Sequence, residues 1–146
     1  GRRLDTLPLS YTTWAEWRAR HPDTRVLSTD TGYRRDYERD PYASHARSKR
    51  VPFPLVHRDD RYHPKALILG VELNGETKAY PFKELAKTSG EIRDRVGGRS
   101  VIVRFDPKHR TARVFTSKGR KIPAIVAYWF GWYAFHPETA VFRLER

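Results

Sequence analysis

The sequence predicts an α+β protein, β-rich and organised as a single domain over residues 1–146, with a mostly antiparallel sheet and two or three short helices. Three observations carry that expectation. Asn74-Gly75 stands between the β-rich runs ALILGVEL and ETKAYP, and Asn-Gly accepts the positive φ that a two-residue hairpin needs at both turn positions. Residues 91–96, 100–106 and 111–116 alternate or run apolar as sheet strands do. The pattern W-x-x-W-x-x-x-H-P-[DE]-T-x-V occurs twice, starting at Trp14 and at Trp129, at a constant offset of 115 residues. A fixed register over the whole pattern points to an internally duplicated strand-helix-strand unit and not to chance.

Taken in order, the first unit opens with a helix from about Thr13 to Arg20. Ser10, Thr12 or Thr13 can act as N-cap, Glu16 three residues past Thr13 gives a capping box, and Pro22 stops the helix by pushing His21 out of the α region. Trp14 and Trp17 share one helical face, and Arg25 to Ser28 reads as a short strand. Residues 29–57 read as a long polar loop within the domain, rich in Asp, Arg, Tyr and Pro and without periodicity. The Asn-Gly hairpin follows over Ala66–Pro81, then one or two helical turns from Phe82 to Lys87. Strands at 91–96, 100–106 and 111–116 come next, joined by Gly97-Gly98 and by a turn at 107–110. After the SKGRK turn, a strand leads into an apolar helix around Ala127–Phe135 and a closing strand near Ala140–Leu144. That helix is apolar on every side, so something must cover it.

At 146 residues such a domain buries roughly 68–70% of the surface its unfolded chain exposes. The chain has no cysteine, which excludes disulfides, thiolate metal sites and cysteine nucleophiles. No apolar run approaches the roughly 20 residues of a membrane span, so no membrane span is expected. The absence of methionine, even at position 1, suggests a processed or partial product. Twenty-nine Lys and Arg against seventeen Asp and Glu leave a net charge of +12. Such a field attracts nucleic acid or other anions, but the basic residues are interleaved with acids along the chain, as a solubilising surface would be.

TTWAEWRARHPDT, DTGYRRDY with RDPY, LGVELNGETKAYP, DRVGG and AYWFGWYAFHPET together resemble the family known as domain of unknown function 3179, over essentially the whole chain. The resemblance implies a bacterial or archaeal protein, often with an export or lipoprotein signal and two related halves, and hence a protein partner or a missing upstream half and an extracytoplasmic location: periplasmic, secreted or lipid-anchored. Fuller members carry His-Glu-Ile-Val-Asn before the Gly-Gly turn and Cys-Pro-x-Cys-Gly-Thr in the next strand-turn. The matching places here read Ser89-Gly90-Glu91-Ile92-Arg93 and Asp106-Pro107-Lys108-His109-Arg110-Thr111. This chain therefore resembles the cysteine-free second half.

No nucleophile elbow, phosphate loop or dinucleotide fingerprint occurs. The six histidines, His21, His45, His57, His63, His109 and His136, fall in no HxH or HxxxH spacing, so no metal site and no cofactor are expected. His21 and His136 read as helix stops, with proton transfer or ligation as the chemical alternative. The most distinctive polar cluster is Tyr33, Arg34, Arg35 and Asp36, where paired guanidiniums could grip an anionic carboxylate or phosphate ligand, with His21 nearby in sequence. Asp59, Asp60 and His63 form a second polar knot, and Glu91 and Asp94 are further acid-base candidates. Trp129, Trp132 and Tyr133 are expected on an interaction surface, core packing being the alternative. The leading functional expectation is a non-catalytic accessory or protein-interaction module, a subunit or fragment of a larger extracytoplasmic assembly. The alternatives are an enzyme or metal- or redox-linked protein with its site at the Tyr33-Arg34-Arg35 loop, and nucleic-acid binding through the basic surface.

Overall fold

The computed structural model of the chain describes residues 6–144. In order, its elements are α1 (Trp14–Arg20), α2 (Ala43–Arg47), β1 (Leu67–Leu73), β2 (Glu76–Pro81), α3 (Phe82–Leu85), β3 (Glu91–Val96), β4 (Arg99–Asp106), β5 (Thr111–Thr116), β6 (Lys121–Ile122), β7 (Ile125–Tyr128), α4 (Trp129–Phe135) and β8 (Ala140–Val141). The fold is the expected β-rich α+β arrangement, but the strands divide into two sheets of four.

The Asn-Gly hairpin is the centre of the first sheet. Asn74 and Gly75 turn at φ 50° and 81°, as an Asn-Gly hairpin requires, and β1 pairs antiparallel with β2, Leu73 opposite Glu76. β7 joins the other edge of β1 antiparallel, and β8 joins the other edge of β2 in parallel. The order is thus β7-β1-β2-β8, with both outer strands supplied by the last part of the chain. The second sheet is the antiparallel meander β3-β4-β5-β6.

β1 is buried on both faces, and its side chains sort by the two-residue period of a strand. Leu69 and Val71 join Tyr80, Leu85, Val103 and Val114 in the core between the sheets. Ile68 faces the other way and packs with Ala79, Trp129 and Trp132 beneath α4. The molecule is therefore layered as helix, sheet and sheet. The hairpin tips interlock: Asn74 Nδ2 donates to Gly97 O at 2.8 Å and Gly97 N donates to Glu76 Oε2 at 3.0 Å. Gly97 has φ 55°, and a Cβ there would stand 2.0 Å from Leu73 O, so only glycine fits this crossing. Tyr80 donates its hydroxyl to Asp94 Oδ2 at 2.9 Å inside the core, and Lys78 pairs with the same oxygen at 2.7 Å. Burial, with the Asp94 charge, pushes the Tyr80 hydroxyl far above its ordinary pKa.

Four local expectations need correction. Arg25–Ser28 forms no strand, because no strand lies beside it. Ala127 and Tyr128 belong to β7, opposite Ile68 and Leu67, so the last helix begins at Trp129. The closing strand is confined to Ala140–Val141, where it pairs with Lys78 and Ala79. The 29–57 stretch carries the helical turn α2, and the buried Lys65 pins it: its Nζ donates to the carbonyls of His45, Ser48 and Arg50 at 2.7, 2.8 and 2.9 Å.

Candidate docking surface

The two W-x-x-W-x-x-x-H-P units fold alike from the helix to the threonine that follows it, though Thr13 caps the first helix with its side chain and Tyr128 does not cap the second. Each is a seven-residue helix. In each, the histidine ends the helix at nearly the same dihedrals, φ −135° ψ 69° at His21 and φ −133° ψ 64° at His136. Its backbone N–H donates to the second tryptophan's carbonyl, at 2.9 Å in the first unit and 3.0 Å in the second. The imidazole stacks on that indole at centroid distances of 4.2 Å and 4.0 Å. The indole N–H reaches forward to the threonine hydroxyl, Trp17 to Thr24 at 2.9 Å and Trp132 to Thr139 at 3.0 Å. The motif is thus a self-contained clamp: indole, imidazole and hydroxyl hold the chain that leaves the helix, and proline prevents the helix from continuing.

Their surroundings differ. The second unit lies on the first sheet: Trp129 and Trp132 are 0% and 4% exposed. Trp129 Nε1 donates to Asp59 O at 3.1 Å and to Asp59 Oδ1 at 3.2 Å. Arg61 pairs with Asp59 Oδ2 at 2.7 Å and stacks over the Trp129 ring. The first unit has no such cover. No residue of α1 is buried, and Trp14, the counterpart of Trp129, is 49% exposed. Val26 and Leu27, which correspond to Val141 and Phe142, are 69% and 95% exposed, and Leu7, Leu9 and Tyr11 ahead of the helix are exposed too.

What holds α1 is its polar face. Arg113 of β5 donates to Glu16 Oε1 at 2.8 Å, Arg20 reaches the same oxygen at 3.1 Å, and Lys121 donates to Ser10 at 3.3 Å. Burial works against ionisation of Glu16, but the Arg113 hydrogen bond and charge outweigh it and hold the carboxyl below its ordinary pKa. Glu16 stands where the second unit has Gly131. The first unit is therefore anchored through one face, with Trp17 half-buried and Trp14 left open.

The residues expected to act chemically are distributed as follows. Tyr33, Arg34, Arg35 and Asp36, consecutive in the chain, lie along a shallow open dish with Thr29 and Tyr37. The Asp36 carboxylate is engaged in its own turn, accepting from Glu38 N at 3.1 Å. His21 does not line that dish; its ring is stacked on Trp17. Asp59, Asp60 and His63 form part of a cleft of about 540 Å³ closed on one side by Phe130 and Tyr133 of α4. There Lys65 N donates to His63 Nδ1 at 3.2 Å, which places the neutral ring's proton on Nε2. Glu91 pairs with Arg104 at 2.9 Å. His109 bonds Asp106 at 2.5 Å and, with it, draws the aspartate pKa down. Among the described residues no three His, Asp or Glu side chains are grouped to hold a metal ion, and no helix is long and apolar enough to cross a membrane. Of the three residues expected on an interaction surface, Trp129 and Trp132 lie in the core because the hairpin and the 59–62 segment cover them, and only Tyr133 reaches the cleft. Three contributors escaped sequence reasoning. Gly70 carried a signal, a lone glycine in a strand, whereas Lys65 and Arg113 carried none.

Fold and surface together define a small β-rich α+β protein built around a tryptophan-histidine-threonine helix unit, one copy seated on its sheet and one bare. The chain belongs to the family described as protein of unknown function (DUF3179), whose pattern matches residues 1–122. The match takes in the first helix unit and the strands through β6 and stops before the second unit. No curated protein matches the chain, and no solved structure does.

Proposed function

We propose that this chain is a non-catalytic interaction module, one part of a larger extracytoplasmic assembly, and that it joins its partner through the first helix unit. One observation carries the reading: the same folded unit is covered in its second copy and bare in its first. An isolated amphipathic helix of seven residues is too short to be stable by itself, and exposed apolar side chains gathered on one surface are a usual mark of an interface. Here Leu9 ahead of the helix, Trp14 within it and Val26 and Leu27 after it are all exposed. The extracytoplasmic setting is carried by the family resemblance, and fractionation of the natural host tests it.

The assembly is tested by native mass. Cross-linked extract from the natural host should contain the wild-type chain in a species well above monomer mass. The variant Leu9→Glu/Trp14→Glu/Leu27→Glu, which keeps the Glu16–Arg113 anchor, should migrate as a monomer. Monomeric wild type, or a variant that assembles as well as wild type, contradicts the proposal.

A further inference from the structure

The identity of the partner surface can be taken one step further, resting on the reading that the first unit docks. In the second unit a single segment closes the Asn-Gly hairpin on both edges at once. β7 runs along the outer edge of β1 and β8 along the outer edge of β2. Between them α4 crosses the face, its Trp132 seated where Gly70 leaves room.

The first unit has the same parts in the same order. Pro8 matches Pro123, Trp14 and Trp17 match Trp129 and Trp132, and Val26 matches Val141, all at the offset of 115. Among the described residues the stretches on either side of α1 pair with no strand, and a backbone without a strand partner is what extends a ladder at a sheet edge. The two units differ in the strand ahead of the helix, where Ile125, Val126, Ala127 and Tyr128 are matched by Ser10, Tyr11, Thr12 and Thr13, and on the helix itself. Phe130 and Tyr133 line the cleft beneath the 49–64 segment, and their counterparts are Ala15 and Arg18, residues that need no apolar cover. Trp14, Trp17 and Val26 keep the side chains by which Trp129, Trp132 and Val141 pack on the hairpin face.

We infer that residues 8–27 close both edges of a β-hairpin in another protein unit, one with glycine at the place of Gly70 and no closing segment of its own. A second copy of this chain does not fit that description. Both edges of its hairpin are taken by its own β7 and β8, and its Gly70 is covered by Trp132.

The cysteine-free sequence allows a direct test. Lys78 pairs with Ala140 across β2 and β8, and Arg25 is the counterpart of Ala140. Residues 42–122 are joined directly ahead of Pro8 of the whole chain, supplying a hairpin without its closing segment. The added copy carries Lys78→Cys and the whole chain carries Arg25→Cys. The control is the ordinary chain with Lys78→Cys/Ala140→Cys. A disulfide in the tandem protein, formed as in the control, together with a shift of Trp14 emission to shorter wavelength, is the expected result. Because the added copy lacks the Phe130 and Tyr133 contacts, a second tandem protein adds Ala15→Phe/Arg18→Tyr to restore them. Free thiols in both tandem proteins beside an oxidised control overturn the inference, and they do so even if the native assembly depends on Trp14, in which case docking stands and the hairpin does not. A homodimer of the unmodified chain that Trp14→Glu dissolves overturns it as well, by making a second copy the occupant.

Discussion

The indole of Trp132 lies so close to Gly70 that a Cβ on that residue would stand 2.3 Å from Cζ3 of the ring. This contact seats the second helix unit on the hairpin, and among the described residues no glycine makes its equivalent with Trp17. Gly70→Ala should therefore displace the ring or bend β1. Overpacking of this kind costs about 1–3 kcal/mol, and at this chain length each kcal/mol lowers Tm by roughly 2–4 °C. Thermal unfolding with tryptophan emission as the probe checks both the loss and the loosening of Trp132.

The two clamps use one hydrogen bond in two environments. Thr139 is buried and accepts from Trp132, whereas Thr24 accepts from a half-buried Trp17. Thr139→Val strands a buried indole N–H and should cost about 1–3 kcal/mol. Thr24→Val should cost far less in the isolated chain, since water replaces the hydroxyl. Urea midpoints of the two variants, measured side by side, test whether burial alone separates the copies.

Lys65→Met should release the segment around α2. The ammonium is the shared donor to His45 O, Ser48 O and Arg50 O, and methionine matches its length without donating. The expected loss is about 1–3 kcal/mol, with faster hydrogen exchange over residues 43–51 and little change in β3 to β5. Unchanged exchange in that segment would contradict the pinning role.

The anchor of α1 should be acid-labile. The folded state holds Glu16 below its ordinary pKa, so its ionised form stabilises docking of α1. That contribution is fully present above the unfolded carboxyl pKa of about 4.3 and is lost as pH falls through the lower folded value. Hydrogen exchange over residues 14–20 should therefore rise in that acid window while the hairpin stays protected. Glu16→Gln should show the elevated exchange already at neutral pH and lose the acid transition.

Strands set by turn chemistry and alternation were legible in the sequence. Asn74-Gly75 located the first hairpin, and the observed β3 and β5 are the 91–96 and 111–116 runs. Of the three cap candidates Ser10, Thr12 and Thr13, it is Thr13 that accepts from Glu16 N, at 3.3 Å, while the Glu16 carboxylate turns to Arg113 and Arg20 instead of closing a capping box. What failed at Arg25–Ser28 was not propensity: Val26 and Leu27 suit a strand, but a strand exists only beside another, and the neighbour is not supplied by these residues. The same reason hid the burial of Trp129 and Trp132, since the covering surfaces are a glycine in β1 and an aspartate at 59, both remote in sequence. The division into two sheets follows from the hairpin receiving its outer strands from residues 125–141, a long-range pairing that no local pattern encodes. The repeat was visible as spacing; that one copy is seated and the other bare required the structure.

Trp14 offers the most direct test of the docking claim. Oxidative footprinting reads indole accessibility residue by residue, and it can be run on the isolated chain and on the assembly recovered from the natural host. Docking through the first unit predicts that Trp14 is modified readily in the isolated chain, where Trp129 and Trp132 are protected, and that in the assembly Trp14 becomes as protected as they are. Equal reactivity of Trp14 in both preparations would contradict it.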